Sequence, residues 1–276
     1  MRIKDGLIYG QNALQKWYEN KIIAERLLEY VLKKDKVFLR IHSEDVMTQR
    51  QWDEYQTGIQ EILKGKPLAY ITHQVEFMGL PFYVDENVLI PRMDTEVLVE
   101  EILAEMKKNT IHSVLDMCTG SGAIAISLKK QEPALQVMAS DISKNALTVA
   151  QKNAKILQAE IRFIQSDMWQ KIQGSYDCIV SNPPYIQSHV VKTLDPFVQH
   201  EPHLALDGGE DGLQYYRILI KHAQEHLNQG GYLFLEIGYD QKESVTQLMQ
   251  QANFQWIHTR KDYGGNDRVV WGKKEG

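Results

Sequence analysis

The sequence contains little cysteine. There are two in 276 residues, Cys118 and Cys178, both in apolar, strand-like contexts, with neither a disulfide framework nor a zinc-ligand spacing around them. No apolar run reaches ~18 residues, so no membrane-spanning helix is expected. The opening stretch "MRIKDGLIYGQNALQ" lacks the apolar core of a secretory leader, and a cytoplasmic protein is expected. There is also no basic excess: 31 Lys and Arg face 36 Asp and Glu, for a net charge of −5. Strong non-specific attachment to DNA or RNA needs a basic footprint, so no direct nucleic-acid partner is expected. Internal repeats and low-complexity segments are absent. What remains is an ordinary globular composition, 43% hydrophobic and 24% charged. The chain is long enough for one large domain and a smaller one.

Two textures divide the chain. Residues 10–64 are polar and helical in period, with apolar positions at three- and four-residue steps such as Ile23, Leu27, Leu28 and Val31. Ser43 is the expected N-cap of the last helix there and Gly65 its stop. A helical domain over 1–66 follows. Residues 67–90, "PLAYITHQVEFMGLPFYVDENVLI", are rich in β-branched and aromatic residues and predict a β-hairpin linker.

From residue 91 to 276 strands and helices alternate. The helix "DTEVLVEEILAEMKK" is expected to be capped by Asp94. Strands are expected at "HSVLDMC", "LQVMASDI", "IRFIQSD", "YDCIVSN" and "GGYLFLEIG", with helices between most of them. This pattern predicts a doubly wound, mostly parallel α/β sheet. "FQWIHTRKD" and "DRVVWGKK" lack an intervening helix, so one of them must run antiparallel.

The first strand of this domain runs into "LDMCTGSGAIAIS". Gly120, Gly122 and Ala125 keep the G-x-G-x-x-G/A spacing, and Asp141 ends the next strand about 20 residues on. Glycines admit close backbone approach, and an acid in that register accepts ribose hydroxyls, which together point to an adenosine-containing cofactor. Asp116, just before the loop, helps decide between cofactors, with anchoring of the loop as its other reading. A carboxylate there repels a pyrophosphate but attracts the ammonium and sulfonium of S-adenosyl-L-methionine, by about 4 kcal/mol per unit charge at ~4 Å and an effective dielectric of ~20.

The fourth strand ends in Asn182-Pro183-Pro184-Tyr185, at the same sheet edge as the glycine loop. An amide nitrogen is a poor nucleophile because its lone pair is delocalised. The Asn182 side-chain oxygen and the Pro183 carbonyl offer two acceptors that can orient a planar –NH2 and favour tetrahedral geometry. The prolines stiffen the corner, and Tyr185 offers a face to a planar or cationic group.

These residues resemble the PrmC/HemK family of protein-(glutamine-N5) methyltransferases. The likeness runs from about Gly65 to the C-terminus, through "KPLAYITHQVEFMGLPFYV", "VLIPRMDTEVLVE", "LDMCTGSGAIAISL", "YDCIVSNPPYI", "EPHLALDGGEDGLQYYR", "GGYLFLEIGYDQ" and "NDRVV". It implies a class I, Rossmann-like methyltransferase sheet with a reversed last strand, acting with S-adenosyl-L-methionine on the glutamine of a Gly-Gly-Gln tripeptide in peptide-chain release factors. By the resemblance Cys118, Thr119, Gly120, Ser121 and Gly122 hold the methionine end of the cofactor, Asp141 the ribose and Trp169 the adenine, with Asp116 and Asn182 also against it. Asn182, Pro183, Pro184 and Tyr185 hold the substrate amide, and the helical domain docks the release factor. A monomer is expected. Three positions depart from the family pattern: Cys118 replaces a glycine, Met93 a proline and His73 a glycine. Cys118 bears on the local turn angles rather than on the chemistry.

Three other readings compete, one of them a non-enzymatic binding module on a cofactor fold, which the intact amide corner opposes. The amide corner also suits an exocyclic amine of adenine or guanine, which would make the chain a nucleic-acid methyltransferase, although the charge opposes this. "HAQEH" places His222, Glu225 and His226 at a zinc-protease spacing. A helix face packed on the sheet accounts for that spacing without a metal, and none is expected.

Overall fold

The computed structural model describes residues 1–275. The chain folds as two compact units: Met1–His73 with the short segment Asp195–His200, and Gln74–Leu194 with the residues from Glu201 on.

The first unit is helical: α1 Ile3–Ala13, α2 Asn20–Leu32, α3 Lys36–Ile41, α4 Gln49–Leu63 and α5 Leu68–Thr72. Its core joins Leu14, Leu27, Leu28, Leu39, Tyr55, Ile59 and Ile62. Helix α4 starts later than Ser43. Its N-cap is Thr48, whose hydroxyl accepts from the Gln51 N–H while the Gln51 side chain returns to the Thr48 backbone, a capping box. "LAYIT", expected as extended chain, forms α5 instead, and its C-cap His73 sits at φ 54°.

The second unit opens with a hairpin, β1 Val75–Phe77 and β2 Leu80–Phe82, in antiparallel register. Then come α6 Met93–Met106, β3 Ser113–Met117, α7 Ala123–Gln131, β4 Gln136–Asp141, α8 Lys144–Ile156, β5 Arg162–Gln165 and β6 Tyr176–Ser181. The short helix α9 Ser188–Val191 follows, and α10 Pro196–Gln199 belongs to the first unit. The remainder is α11 Gln214–His226, β7 Leu227–Glu236, α12 Lys242–Gln251, β8 Phe254–Lys261 and β9 Asp267–Lys274. The N-cap of α6 is Arg92, with Asp94 in the first turn, where its charge complements the helix dipole. The expected Asp94 cap is therefore two residues off.

Seven strands form one sheet in the order β5-β4-β3-β6-β7-β9-β8. Strand β9 runs antiparallel to both β7 and β8 and is the reversed last strand; the other pairings are parallel. Side chains alternate between two apolar layers. Val114, Cys178, Val180, Tyr232 and Phe234 meet α6 and α7. Leu115, Met117, Ile179, Leu233 and Leu235 meet α11 and α12. Burial on both faces is why the central strands read as near-continuous apolar runs. The strand order turns back between β3 and β6, which places a crevice at their carboxyl ends.

Candidate active site

At that turning point Met117 pairs with Ser181, so Cys118 and Asn182 leave neighbouring strands at the same level. A cleft of ≈ 1110 Å³, counted with its solvent-open mouth, lies above them. Its floor is Met117 to Ser121 from the glycine loop together with Asn182 and Pro184. One wall is Asp141, Ile142 and Ser143, and Ser166 to Met168 lie beside it. Arg92, Leu204 and Tyr215 complete the lining, with Thr95 beside Asn182. The cleft is about as large as a drug-sized ligand requires.

The glycine loop is held from below and from the side. Asp116 is fully buried. Its Oδ2 accepts from the Thr119 hydroxyl at 2.6 Å and from the Ala125 N–H at 3.2 Å. Its Oδ1 has no hydrogen-bond partner among the described residues. Burial pushes this carboxyl up to about 7, against the two donors. Asp116 thus anchors the loop from beneath and does not line the cleft; direct contact with a cationic ligand was the expectation.

Asp141 does line the cleft. Its Oδ2 accepts the Gly120 N–H at 2.9 Å and its Oδ1 the Ser143 N–H at 2.9 Å. Burial raises its pKa and these amides lower it. The Ile142 amide acts on it as well, and of about four acceptor positions the carboxylate still keeps one free.

Gly120 sits at φ 55°, and nothing lies within 4 Å of where its Cβ would be, so the loop backbone is open to a ligand there. Gly122, at φ 82°, begins α7 so close to the next helix that a Cβ would stand 3.2 Å from Ala150 Cβ. Cys118 adopts φ 60°, a left-handed conformation uncommon for a residue with a side chain. Burial pushes its thiol pKa up, so it is a poor nucleophile.

The amide corner divides. Asn182 and Pro184 line the cleft, whereas Pro183 and Tyr185 do not. Tyr185 packs with the α11 layer, and burial raises its pKa; its carbonyl accepts from Gln241 Nε2 at 2.9 Å. Its ring is therefore not offered to the cleft. Trp169 departs from expectation in the same way. Its indole N–H donates to the Ile218 carbonyl at 3.0 Å and its ring stacks on His226 at 4.8 Å. Ser166, Asp167 and Met168 occupy the cleft wall instead, and Met168 sits at φ 44°. His226 is also bonded to the Gly174 carbonyl, and no metal-type cluster of three or more His, Cys, Asp or Glu occurs among the described residues.

Residues 93–211 match the methyltransferase small domain, and residues 7–72 match the PrmC N-terminal domain. The chain is 39% identical over 278 residues to the release factor glutamine methyltransferase of Clostridium acetobutylicum, with 98% of each chain covered. The chain belongs to the release factor glutamine methyltransferase family. The family's protein from Lactococcus lactis is 45% identical over 75% of this chain and 77% of that one. The likeness thus reaches into the helical unit, beyond the start at Gly65 read from the motifs. A ribosomal protein L11 methylase from Lactobacillus delbrueckii subsp. bulgaricus shares the fold at 22% identity and a TM-score of 0.51, covering 70% of this chain and 84% of that chain.

Sequence reasoning missed a buried polar group behind the corner in this release factor glutamine methyltransferase relative. Asn182 Nδ2 donates to Thr95 Oγ1 at 3.3 Å. Glu236, at the end of β7, is 2% exposed, and burial pushes it up to about 7 against donors from Thr95 and Asn182 and the charge of Arg268. Arg268 grips Asp262 Oδ2 at 3.0 Å and donates to the Ile237 carbonyl at 3.2 Å. Glu201, 4% exposed, pairs with the cleft-lining Arg92 and accepts the Ile90 N–H at 3.1 Å. Glu236 ends the apolar run of β7 at the carboxyl edge of the sheet, a signal present in the sequence; Glu201, in "FVQHEPH", follows no apolar run and gives none.

Proposed function

We propose that this chain transfers the methyl group of S-adenosyl-L-methionine to the side-chain amide nitrogen of the glutamine in the Gly-Gly-Gln motif of peptide-chain release factors. One observation carries the reading: the glycine loop and Asn182 line a single cleft. The residues present fit the cofactor. Asp141 has a lone pair to spare for a ribose hydroxyl, the Gly120 backbone is uncovered, and the loop from Cys118 to Gly122 presents no phosphate-binding cation. When bound, the cofactor supplies an electrophilic methyl group on a sulfonium.

The chain's own residues do the positioning. Asn182 Oδ1, which lines the cleft, accepts one N–H of the glutamine amide and turns its lone pair toward the glycine loop. The Pro183-Pro184 pair resists yielding, because neither residue can rotate φ freely. Ile142 and Met168 give an apolar wall for a planar base. Excluding water strengthens each of these dipolar contacts. No residue needs to act as a strong base, because the amide nitrogen sheds its proton to solvent once alkylated.

The helical unit docks the release factor, and the chain acts as a cytoplasmic monomer on protein rather than nucleic acid. In support, no helix among the described residues is long and apolar enough to cross a membrane. Mass spectrometry of a purified release factor incubated with the chain and S-adenosyl-L-methionine tests the reading. A methyl mass gain on the tripeptide glutamine is expected. Methylation of DNA or RNA in parallel reactions, with none on the release factor, overturns it.

A further inference from the structure

We propose that Glu236, acting through Thr95, is the positioning residue that fixes which end of the Asn182 amide faces the cleft. The inference rests on the methyl-transfer reading above. The two ends of a carboxamide have nearly the same shape and opposite hydrogen-bonding character. Only the oxygen-forward orientation can accept a substrate N–H; the reverse points one –NH2 at another. Something must therefore break the symmetry.

Behind Asn182 stand Thr95, 4% exposed, and Glu236, 2% exposed. Asn182 Nδ2 lies 3.3 Å from Thr95 Oγ1, and both side chains stand near enough to the Glu236 carboxylate to favour its charge. An ionised carboxylate can only accept. It takes the single Thr95 proton, which leaves lone pairs facing Asn182, and it repels the Asn182 oxygen. Both effects draw the –NH2 inward and drive the oxygen out. Glu236 Oε2 has no hydrogen-bond partner among the described residues, so the fold's own bonding does not consume this oxygen.

The groups facing Glu236 are Arg268, which favours its charge, and Asp94, Tyr185 and Tyr216. Arg268 is only partly available, being paired with Asp262. Burial outweighs it, and Glu236 titrates at about 7. Once protonated, Glu236 becomes a donor and the orientation is released. Turnover must then fall as pH drops through about 7, while cofactor affinity stays.

The full chain, ¹⁵N-labelled, tests this without turnover. The Asn182 side-chain –NH2 signal, assigned by its loss in Asn182→Ala, should shift with a midpoint near 7 in the wild type and lose that transition in Glu236→Gln. In steady state with purified release factor, Glu236→Gln and Thr95→Val should lower kcat by ~10–100-fold. KM and S-adenosyl-L-methionine affinity should be little changed, and Thr95→Ser should restore the rate. An Asn182 signal unaffected by Glu236→Gln, or a Thr95→Val enzyme with the wild-type kcat and acid limb, overturns the proposal. If the wild type fails to methylate any release factor, the functional reading falls, and the Asn182 signal still judges this inference separately.

Discussion

The Ser181 hydroxyl donates to the Met117 carbonyl at 2.7 Å and locks the last residue of β6 to the last residue of β3. Both side chains are buried. The next residue of each strand is the one that matters, Cys118 on one and Asn182 on the other. The relative height of the glycine loop and the amide corner is thus set by main-chain pairing rather than by flexible side chains.

Asn182→Ala should lower turnover by ~10²–10³-fold, the scale seen when one preorganised polar contact to a reacting group is removed. Its cofactor affinity should stay close to the wild type, because the Asp141 and Gly120 side of the cleft is untouched. Single-turnover kinetics beside calorimetry separates the two. Wild-type methylation by the variant would remove Asn182 from the mechanism.

Asp141→Ala should have the opposite profile. On the proposed ribose role it deletes a charge-assisted contact of about 1.5–3 kcal/mol, or roughly 10–100-fold in dissociation constant. It also frees the Gly120 N–H. Asp141→Asn keeps one acceptor and should fall between the two. Calorimetric titration with S-adenosyl-L-methionine checks the order, and equal affinities across the three proteins would refute it.

Cys118 tests backbone strain. A left-handed residue with a β-carbon costs about 1–2 kcal/mol, and glycine's extra freedom when unfolded costs about 0.4–1 kcal/mol. Cys118→Gly should therefore leave stability unchanged or raise it by up to about 1.6 kcal/mol. Cys118→Val, β-branched at φ 60°, should destabilise by about 2 kcal/mol or more. Urea unfolding of both variants reads this out; a stable valine variant would show that the loop adopts another conformation.

Gly208→Ala should disturb the amide corner from behind. A Cβ there would stand 2.6 Å from Tyr185 Cα and 2.9 Å from the Pro184 carbonyl oxygen. Both contacts are backbone, so neither can rotate away. We expect kcat to fall further than cofactor affinity, measured as for Asn182→Ala. An alanine variant with normal turnover would mean that the corner tolerates displacement.

Stability should decline as pH rises toward 7. Asp116 and Glu236 are both pushed up to about 7 in the folded chain, so between the ordinary carboxylate range and about 7 the folded state holds protons that the unfolded chain has released. Stability is lost across that window, at up to about 1.4 kcal/mol per pH unit for each group, and levels off above it. Denaturant unfolding at about pH 5 and about pH 8 should show a smaller difference for Glu236→Gln than for the wild type. An unchanged difference would mean that Glu236 is not protonated in the folded protein at the lower pH.

The strands were legible because burial on both faces leaves uninterrupted apolar runs, and β3, β4, β6 and β9 fall within a residue or two of expectation. The reversal of β9 was legible because Lys261 and Asp267 are too close in sequence for a helix between them. Helix starts were less so. Ser43 and Thr48 are both good caps, and only the Gln51 partner of Thr48 separates them. In the site, Asp141 and Asn182 both line the cleft, at the strand ends that the sequence pattern marks. Trp169 does not, because its indole is satisfied by a carbonyl on α11, 49 residues away, which no local pattern reveals. Asp116 reads as a ligand contact or as a loop anchor from the same letters, and the Thr119 and Ala125 donors decide for the anchor. Glu236 passed as the tail of an apolar strand because its partners, Thr95 and Asn182, come from two other segments.

The direction of β9 has a consequence for charge. Five parallel strands bring their carboxyl ends to the rim of the cleft, and each delivers whatever residue follows its last apolar position. Strand β9, threaded the other way beside β7 with Val269 opposite Glu236, brings its beginning to that rim. The guanidinium of Arg268 therefore arrives from a main chain already fixed in the sheet, not from a loose loop. Had this strand run with its neighbours, the trailing lysines 273 and 274 would lie there instead, and the counter-ion beside Glu236 would hang on a free end.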